Sequence, residues 1–221
     1  MFDTLLASTV HDMKNSLSLL MNELEVMGSK LERSNENRQT VSSLRYEASR
    51  INISLMELLA LYKLEKKQIS IQIEEVAVAD VLEDYVAAHS FVAKNRDVQL
   101  HFECDDSLIW FFDPVFLHIV INNIVGNSIR YTKSQVIISA FVVDHQLCIQ
   151  IDDDGQGYPE QMIDSVEQFS KSMDVDTGST GLGLYFASII AKNHIRQKRS
   201  GDIVLKNNEK LTGGCFKIFL P

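Results

Sequence analysis

Residues 1–113 contain a single glycine, Gly28, and no proline, whereas the 108 residues that follow hold nine glycines and all three prolines. A stretch without breakers can run as long helices. Glycines gathered at Gly155, Gly157, Gly178, Gly181 and Gly183 mark backbone that turns sharply or approaches a ligand. The asymmetry predicts two architectures joined in one chain of 221 residues, a length between one large domain and two small ones. At 45% hydrophobic and 23% charged residues the chain can bury a core, which excludes intrinsic disorder.

In the breaker-poor part, Leu6, Val10, Met13, Leu17, Leu20, Leu24, Met27 and Leu31 alternate steps of four and three, which is a heptad seam. Val41, Leu44, Ala48, Ile51, Leu55, Leu58 and Tyr62 repeat the pattern after the polar stretch Glu32 to Thr40. The pair predicts a helical hairpin with helices of ~25–30 residues, or ~40–45 Å. Leu5, Met21, Val26, Ile53 and Leu59 widen the stripe beyond what one partner helix can cover. A homodimer in which two hairpins form a four-helix bundle would cover it; packing on the second domain is the alternative. Gly28 marks a potential bend.

The charge of −9 is local, with nine basic and nine acidic residues in 1–67 against twelve and twenty-one in 68–221. The broadly basic surface of a nucleic-acid binder is therefore missing, and Arg196, Lys198 and Arg199 read as a solvated helix end. Cys104, Cys148 and Cys215 stand far apart in strand-like stretches and read as core thiols of a reducing compartment. No signal peptide or apolar run of ~18–20 residues is visible, so the expectation is a cytoplasmic chain that makes no membrane contact itself.

The second part reads as α+β, one mixed sheet covered by helices. Strands are expected over Ile69–Ile73, Val98–Cys104, Val136–Val143, Gln146–Asp152, Ile203–Leu205 and Cys215–Leu220. Helices are expected over Val78–Lys94, Pro114–Tyr131 and Gly181–His194, the second signalled by Asp113-Pro114 as N-cap and first helical residue.

Three segments carry potential chemistry. Asn123 and Asn127 lie one helical turn apart with Arg130 and Tyr131 next along; an amide oxygen is a hard neutral ligand suited to magnesium. Capping or solvated asparagines are the bland reading, weakened by the apolar context Ile119 to Val125. Asp152-Asp153-Asp154-Gly155-Gln156-Gly157 ends a strand in three carboxylates without the ligand spacing of an EF-hand. Gly178-Ser179-Thr180-Gly181-Leu182-Gly183-Leu184 leads into a helix whose free amides suit phosphate, although it lacks a Walker lysine.

In order, NNIVGNSIRYT, DDDGQGYP and STGLGLYFASIIAKNH resemble the asparagine box and two glycine boxes of the ATP-binding domain of sensor histidine kinases, part of the GHKL ATPase superfamily. The resemblance implies that Asp153 bonds the adenine amino group beside Gly155 and Gly157, and that Asn127 holds Mg2+ against the phosphates of ATP. By the same resemblance Asn123 lines the site, and Arg130, Tyr131 and the backbone of Thr180 to Leu184 face the phosphates. Tyr158 to Thr180 would be a mobile lid carrying Phe169 and Lys171. The likeness extends to His11-Asp12-Met13-Lys14-Asn15, similar to the family's phosphoacceptor motif, with His11 on the shoulder of the seam. A neutral imidazole is nucleophilic, and Asp12 can orient it and take its proton. Asn15 shares that face and would position a water for phosphatase chemistry. His89, His101, His118, His145 and His194 lack such a neighbourhood and read as structural or surface residues.

The expected architecture is an N-terminal helical hairpin in a dimeric four-helix bundle (residues 1–67), followed by an α/β-sandwich GHKL-type ATP-binding domain (68–221). The expected function is ATP-dependent autophosphorylation of His11 and transfer to an aspartate of a response-regulator receiver domain. Two alternatives remain open: a phosphotransferase or phosphatase with a residual ATP domain, and a nucleotide-switched dimerisation scaffold. Ser16 stands where the family commonly has a proline, and Ile195–Ser200, where it typically turns through glycines, reads as an extended helix or loop.

Overall fold

The computed structural model describes residues 2–30, 35–164 and 182–221, and the chain divides into two compact units, Met1–Ile69 and Ser70–Pro221. In the first, α1 (Phe2–Lys30) and α2 (Asn35–Glu65) pack on each other through Leu24, Val41 and Ala48, with Leu17 and Met21 against them. α1 continues through Gly28 without a break. The packing divides each heptad seam in two. Leu17, Leu24, Val41, Ala48, Leu55 and Tyr62 are covered or half-covered, whereas Met13, Leu20, Met27, Leu44, Ile51 and Leu58 are exposed.

The second unit runs β1 (Glu74–Ala77), α3 (Val78–Asn95), β2 (Gln99–Glu103), β3 (Ile109–Phe112), α4 (Pro114–Tyr131), β4 (Gln135–Val143) and β5 (Gln146–Asp153). It continues with α5 (Glu160–Asp164), α6 (Leu182–Asn193), β6 (Ile195–Arg196), β7 (Arg199–Ser200), β8 (Asp202–Asn207) and β9 (Gly214–Leu220). Five strands form a mixed sheet in the order β2-β4-β5-β9-β8, parallel between β2 and β4 and antiparallel elsewhere. Strand alternation lines up two buried rows, Ile138-Ile151-Phe216-Leu205 and Ala140-Ile149-Ile218-Ile203. α3, α4 and α6 pack with this sheet, giving the α/β domain expected. One row of the other parity is polar: Gln150 faces Ser139 and Lys217, and Lys210 on the β8–β9 connection reaches Ser139 Oγ at 3.1 Å. Cys148 and Cys215 are buried in this sheet.

α4 starts where its sequence dictates. Asp113 Oδ1 accepts from the amides of Val115 and Phe116, both at 3.0 Å, and Pro114 occupies the first turn, where no N–H is needed. Asp113 Oδ2 accepts from the Gln72 amide at 2.7 Å, and the Asp113 amide donates to His194 Nε2 at 2.9 Å. His194 Nδ1 then donates to the Ile190 carbonyl at 2.8 Å. This buried imidazole therefore ties the end of α6 to the start of α4, a structural role.

Three expectations are corrected. The alternation of Ile69, Ile71 and Ile73 does not form a strand; Ile73 is exposed, and the strand lies at β1, paired antiparallel to β3. β3 is the aromatic run directly before the Asp113 cap. Ile195–Ser200 is a hairpin, β6–β7, turning through positive φ at Gln197 and Lys198, so Arg196 and Arg199 lie on strands and not at a helix end. No described helix is long and apolar enough to cross a membrane.

Candidate functional site

α4 carries the two asparagines on one face, and they bond each other: Asn127 Nδ2 donates to Asn123 Oδ1 at 2.8 Å. The Asn123 amide lies against Gly183 in the first turn of α6, where a Cβ would fall 2.2 Å from Asn123 Nδ2. Glycine at 183 thus leaves room for the Asn123 amide where the two helices meet. Leu182 and Leu184 flank it, half-buried. At the C-terminal end of α4, one turn beyond Asn127, Arg130 lies over the ring of Tyr131, 5.5 Å from its centroid, and Tyr131 is exposed. A Cβ on Gly155 would fall 2.4 Å from the Tyr131 carbonyl, so this glycine lets the end of β5 approach α4.

The three carboxylates at that strand end face different surroundings. Asp152 is fully buried and accepts from Gln150 Nε2 at 2.7 Å. Asp153, 7% exposed, accepts through Oδ1 from the amides of Gly155 at 2.8 Å and Gly214 at 3.1 Å. Burial pushes its carboxyl above the ordinary value, with the charges of Asp154 and Asp152 adding to the effect, against those two amide bonds. Asp154 turns away and accepts from the amides of Lys133, Ser134 and Gln135 and the hydroxyls of Thr132 and Ser134. Its burial alone would raise the carboxyl; the hydrogen bonds from Ser134, Thr132 and Gln135 overcome that and hold it well below the carboxylate range.

Three contributors are not legible in the sequence. Gly213 and Gly214 lie within reach of Asp153, the Gly213 amide donating to the Asp153 carbonyl at 2.9 Å; Cβ atoms there would fall 2.5 and 3.0 Å from its carboxylate oxygens. Asn207, ending β8, accepts from the Tyr158 amide at 2.7 Å and donates to the Tyr158 carbonyl at 2.8 Å. It fixes the turn at Gly157, whose φ of +79° suits glycine. All three stand some fifty to sixty residues beyond the acidic turn, and no local pattern links them to it.

Thr180, Gly181, Lys171 and Phe169 lie outside the described residues, as does the part of the expected lid beyond Asp164. His11, Asp12 and Asn15 lie on α1 in the helical unit, where Asn15 is exposed. In the mixed unit His89 Nε2 and His118 Nε2 meet the two ends of the Asn122 amide, at 3.0 and 2.7 Å, away from the paired asparagines. Among the described residues no group of three or more His, Cys, Asp or Glu gathers as a metal cage.

Residues 112–221 match the family model described as histidine kinase-, DNA gyrase B-, and HSP90-like ATPase. The signal transduction histidine-protein kinase AfsQ2 of Streptomyces coelicolor is 24% identical over 228 residues, a match covering 97% of this chain and 41% of AfsQ2. The sensor histidine kinase GraS of Staphylococcus haemolyticus is 24% identical over 192 residues, covering 84% of this chain and 53% of GraS. The chain thus spans about two fifths to half the length of these relatives. Among solved structures, full-length ShkA in complex with AMPPNP shares the fold with a TM-score of 0.68 at 19% identity, covering 99% of this chain and 45% of ShkA.

Proposed function

We propose that this chain, whose residues 112–221 belong to the histidine kinase-, DNA gyrase B- and HSP90-like ATPase family, is the kinase core of a two-component sensor. It takes the γ-phosphoryl group of ATP onto His11 and passes it to an aspartate of a response-regulator receiver domain. The observation that carries the reading is the bonded pair Asn123 and Asn127 on α4, with Asn123 against Gly183, and the buried Asp153 carboxylate beside bare glycine backbone near the C-terminal end of the same helix.

Asp153 is the acceptor for an exocyclic amino group, and its two backbone bonds fix the carboxylate before ligand arrives. Because Asn127 already donates through Nδ2, its Oδ1 is the atom it offers a cation. A neutral oxygen donor suits Mg2+, which keeps water and phosphate in its shell. Bound there, Mg2+ supplies charge neutralisation of the phosphates. Leu182 to Leu184 begin α6 with amides directed at an anion, joined by Arg130 and Tyr131 and, from outside the described residues, Lys171, Thr180 and Gly181.

In the helical unit, the His11 imidazole forms the N–P bond as the bond to the ADP oxygen breaks, and Asp12 takes the imidazole proton. Asn15 positions a water for phosphatase chemistry, which releases inorganic phosphate. The exposed half of each seam, Met13, Leu20 and Met27 with Leu44, Ile51 and Leu58, recurs every seven residues, the spacing a second hairpin needs to complete a four-helix bundle. A homodimer is therefore part of the proposal.

Incubation of the chain with γ-labelled ATP and Mg2+ is expected to give acid-labile label. Label that persists undiminished in His11→Ala would rule out this acceptor, and absence of nucleotide binding by calorimetry would rule out the ATP site.

A further inference from the structure

Where α3 packs on α4, two pairs of side chains spaced one helical turn apart meet: Tyr85 and His89 from α3, His118 and Asn122 from α4. The amide of Asn122 stands between the two imidazoles. His89 Nε2 lies 3.0 Å from its Oδ1, and His118 Nε2 lies 2.7 Å from its Nδ2. The His118 ring also lies against Tyr85, with centroids 5.4 Å apart. Tyr85 is fully buried, and its hydroxyl has no hydrogen-bond partner among the described residues.

A side-chain amide has an acceptor at one end and donors at the other, and an imidazole accepts only through a nitrogen that carries no proton. One ring must therefore donate to Asn122 while the other accepts from it. A half-turn of the amide exchanges these roles and leaves the rule intact. A first proton can join the donating ring at Nδ1 without disturbing either bond. A second must go to the accepting nitrogen, where it meets the N–H groups of the amide. Burial pushes both imidazoles below the ordinary value; for His89 the Asn122 bond opposes this and the His118 charge adds to it, and for His118 the Asp84 carboxylate of α3 opposes it. Of the other elements packed on these helices, β2 turns Leu100 and Phe102 toward them and His101 and Glu103 away, and β1 keeps Glu74 and Glu75 exposed. β4 and β5 offer the apolar row through Ile138 and Ile151, and α6 meets α4 through Gly183 and Phe186.

We infer that His89 and His118 form a one-proton latch between α3 and α4: the pair closes on Asn122 with at most one proton, and a second proton swings His118 off Asn122 and Tyr85. His118 is the ring that leaves because it is exposed, whereas His89 is half-buried. Water then reaches the Tyr85 hydroxyl, which favours the open state. Acidification thereby loosens α4 on its α3 side. The inference is independent of the nucleotide reading, since none of the four residues belongs to that site.

The test is a pH titration of the isotope-labelled full chain, followed by NMR of the imidazole and tyrosine ring signals. The expected result is two proton-binding steps at least about one pH unit apart, with the Tyr85 ring signals moving in the lower-pH step alone. In His89→Gln, and separately in His118→Gln, the remaining imidazole should take its proton in a single step at higher pH than that lower step. Glutamine still bonds Asn122, and neither position is fully buried, so either variant serves if the other alters thermal unfolding. Coincident wild-type steps whose midpoints neither variant moves would overturn the inference. So would a lower step that leaves the Tyr85 signals in place, because His118 would then take its proton without leaving the phenol.

Discussion

On α1 and α2, alternate seam positions lie open, with Met13, Leu20, Met27, Leu44, Ile51 and Leu58 exposed; in the mixed unit the rows through Ile138, Ile151 and Phe216 and through Ala140, Ile149 and Ile218 are closed. Both regions are rich in aliphatic side chains, so the difference lies in geometry. Two helices can cover only one side of each other, whereas a sheet under three helices encloses its rows completely. The stability of the first unit is thereby tied to the concentration of whatever covers its open seam, and that of the second is intrinsic.

The sharpest way to break this contrast is to truncate one isoleucine in each. Ile151→Ala should cost about 3 kcal/mol of unfolding free energy in urea, through lost burial and a cavity. Ile51→Ala on the open seam should cost under about 1 kcal/mol in a dilute chain, while shifting self-association in sedimentation to higher concentration. Equal costs at high dilution would mean the seam is already covered.

Next in size is His194→Ala, expected to cost about 2–3 kcal/mol by orphaning the buried Asp113 amide and leaving a void. Burial holds this imidazole below its ordinary 6.5, despite the Ile190 hydrogen bond and the Asp113 charge acting the other way. The unfolded chain therefore binds the proton first, and the contribution of neutral His194 is full above pH 6.5 and declines as pH falls toward the folded value. Wild type and variant should converge on acidification, at up to ~1.4 kcal/mol per pH unit; a gap that widens instead would reverse the assignment.

A smaller effect is expected for Gly183→Ala. The new Cβ must displace the Asn123 amide, weakening nucleotide binding by roughly 10-fold in calorimetry, about 1.4 kcal/mol, with little change in thermal midpoint. Smallest is Arg50→Ala, which removes the exposed pair with Glu47 on α2; unfolding free energy should move by no more than about 0.5 kcal/mol.

Elements whose signals are local were readable from the sequence. α4 has the bounds the Asp113-Pro114 cap predicts, and the mixed sheet follows from alternation in β4, β5 and β9. β1 was misplaced because a short strand's position is set by its partner, and β3 was not recognised as one. The β6–β7 hairpin was hidden because its turn uses Gln197 and Lys198 at positive φ in place of glycine or asparagine. At the site, the paired asparagines and Asp153 carry local patterns. Asn207, Gly213 and Gly214 join only through the sheet, since β9 must cross beside β5 before they can meet Asp153 and Tyr158.

Asp154 lies off the site, yet it gathers donors from the four consecutive residues Thr132 to Gln135, directly beyond α4, while itself directly following β5. α4 and β5 are thus joined at one pivot like the arms of a caliper. With Asn123 and Asn127 on one arm and Asp153 at the root of the other, the gauge a ligand must span is set by a side chain that need never touch it.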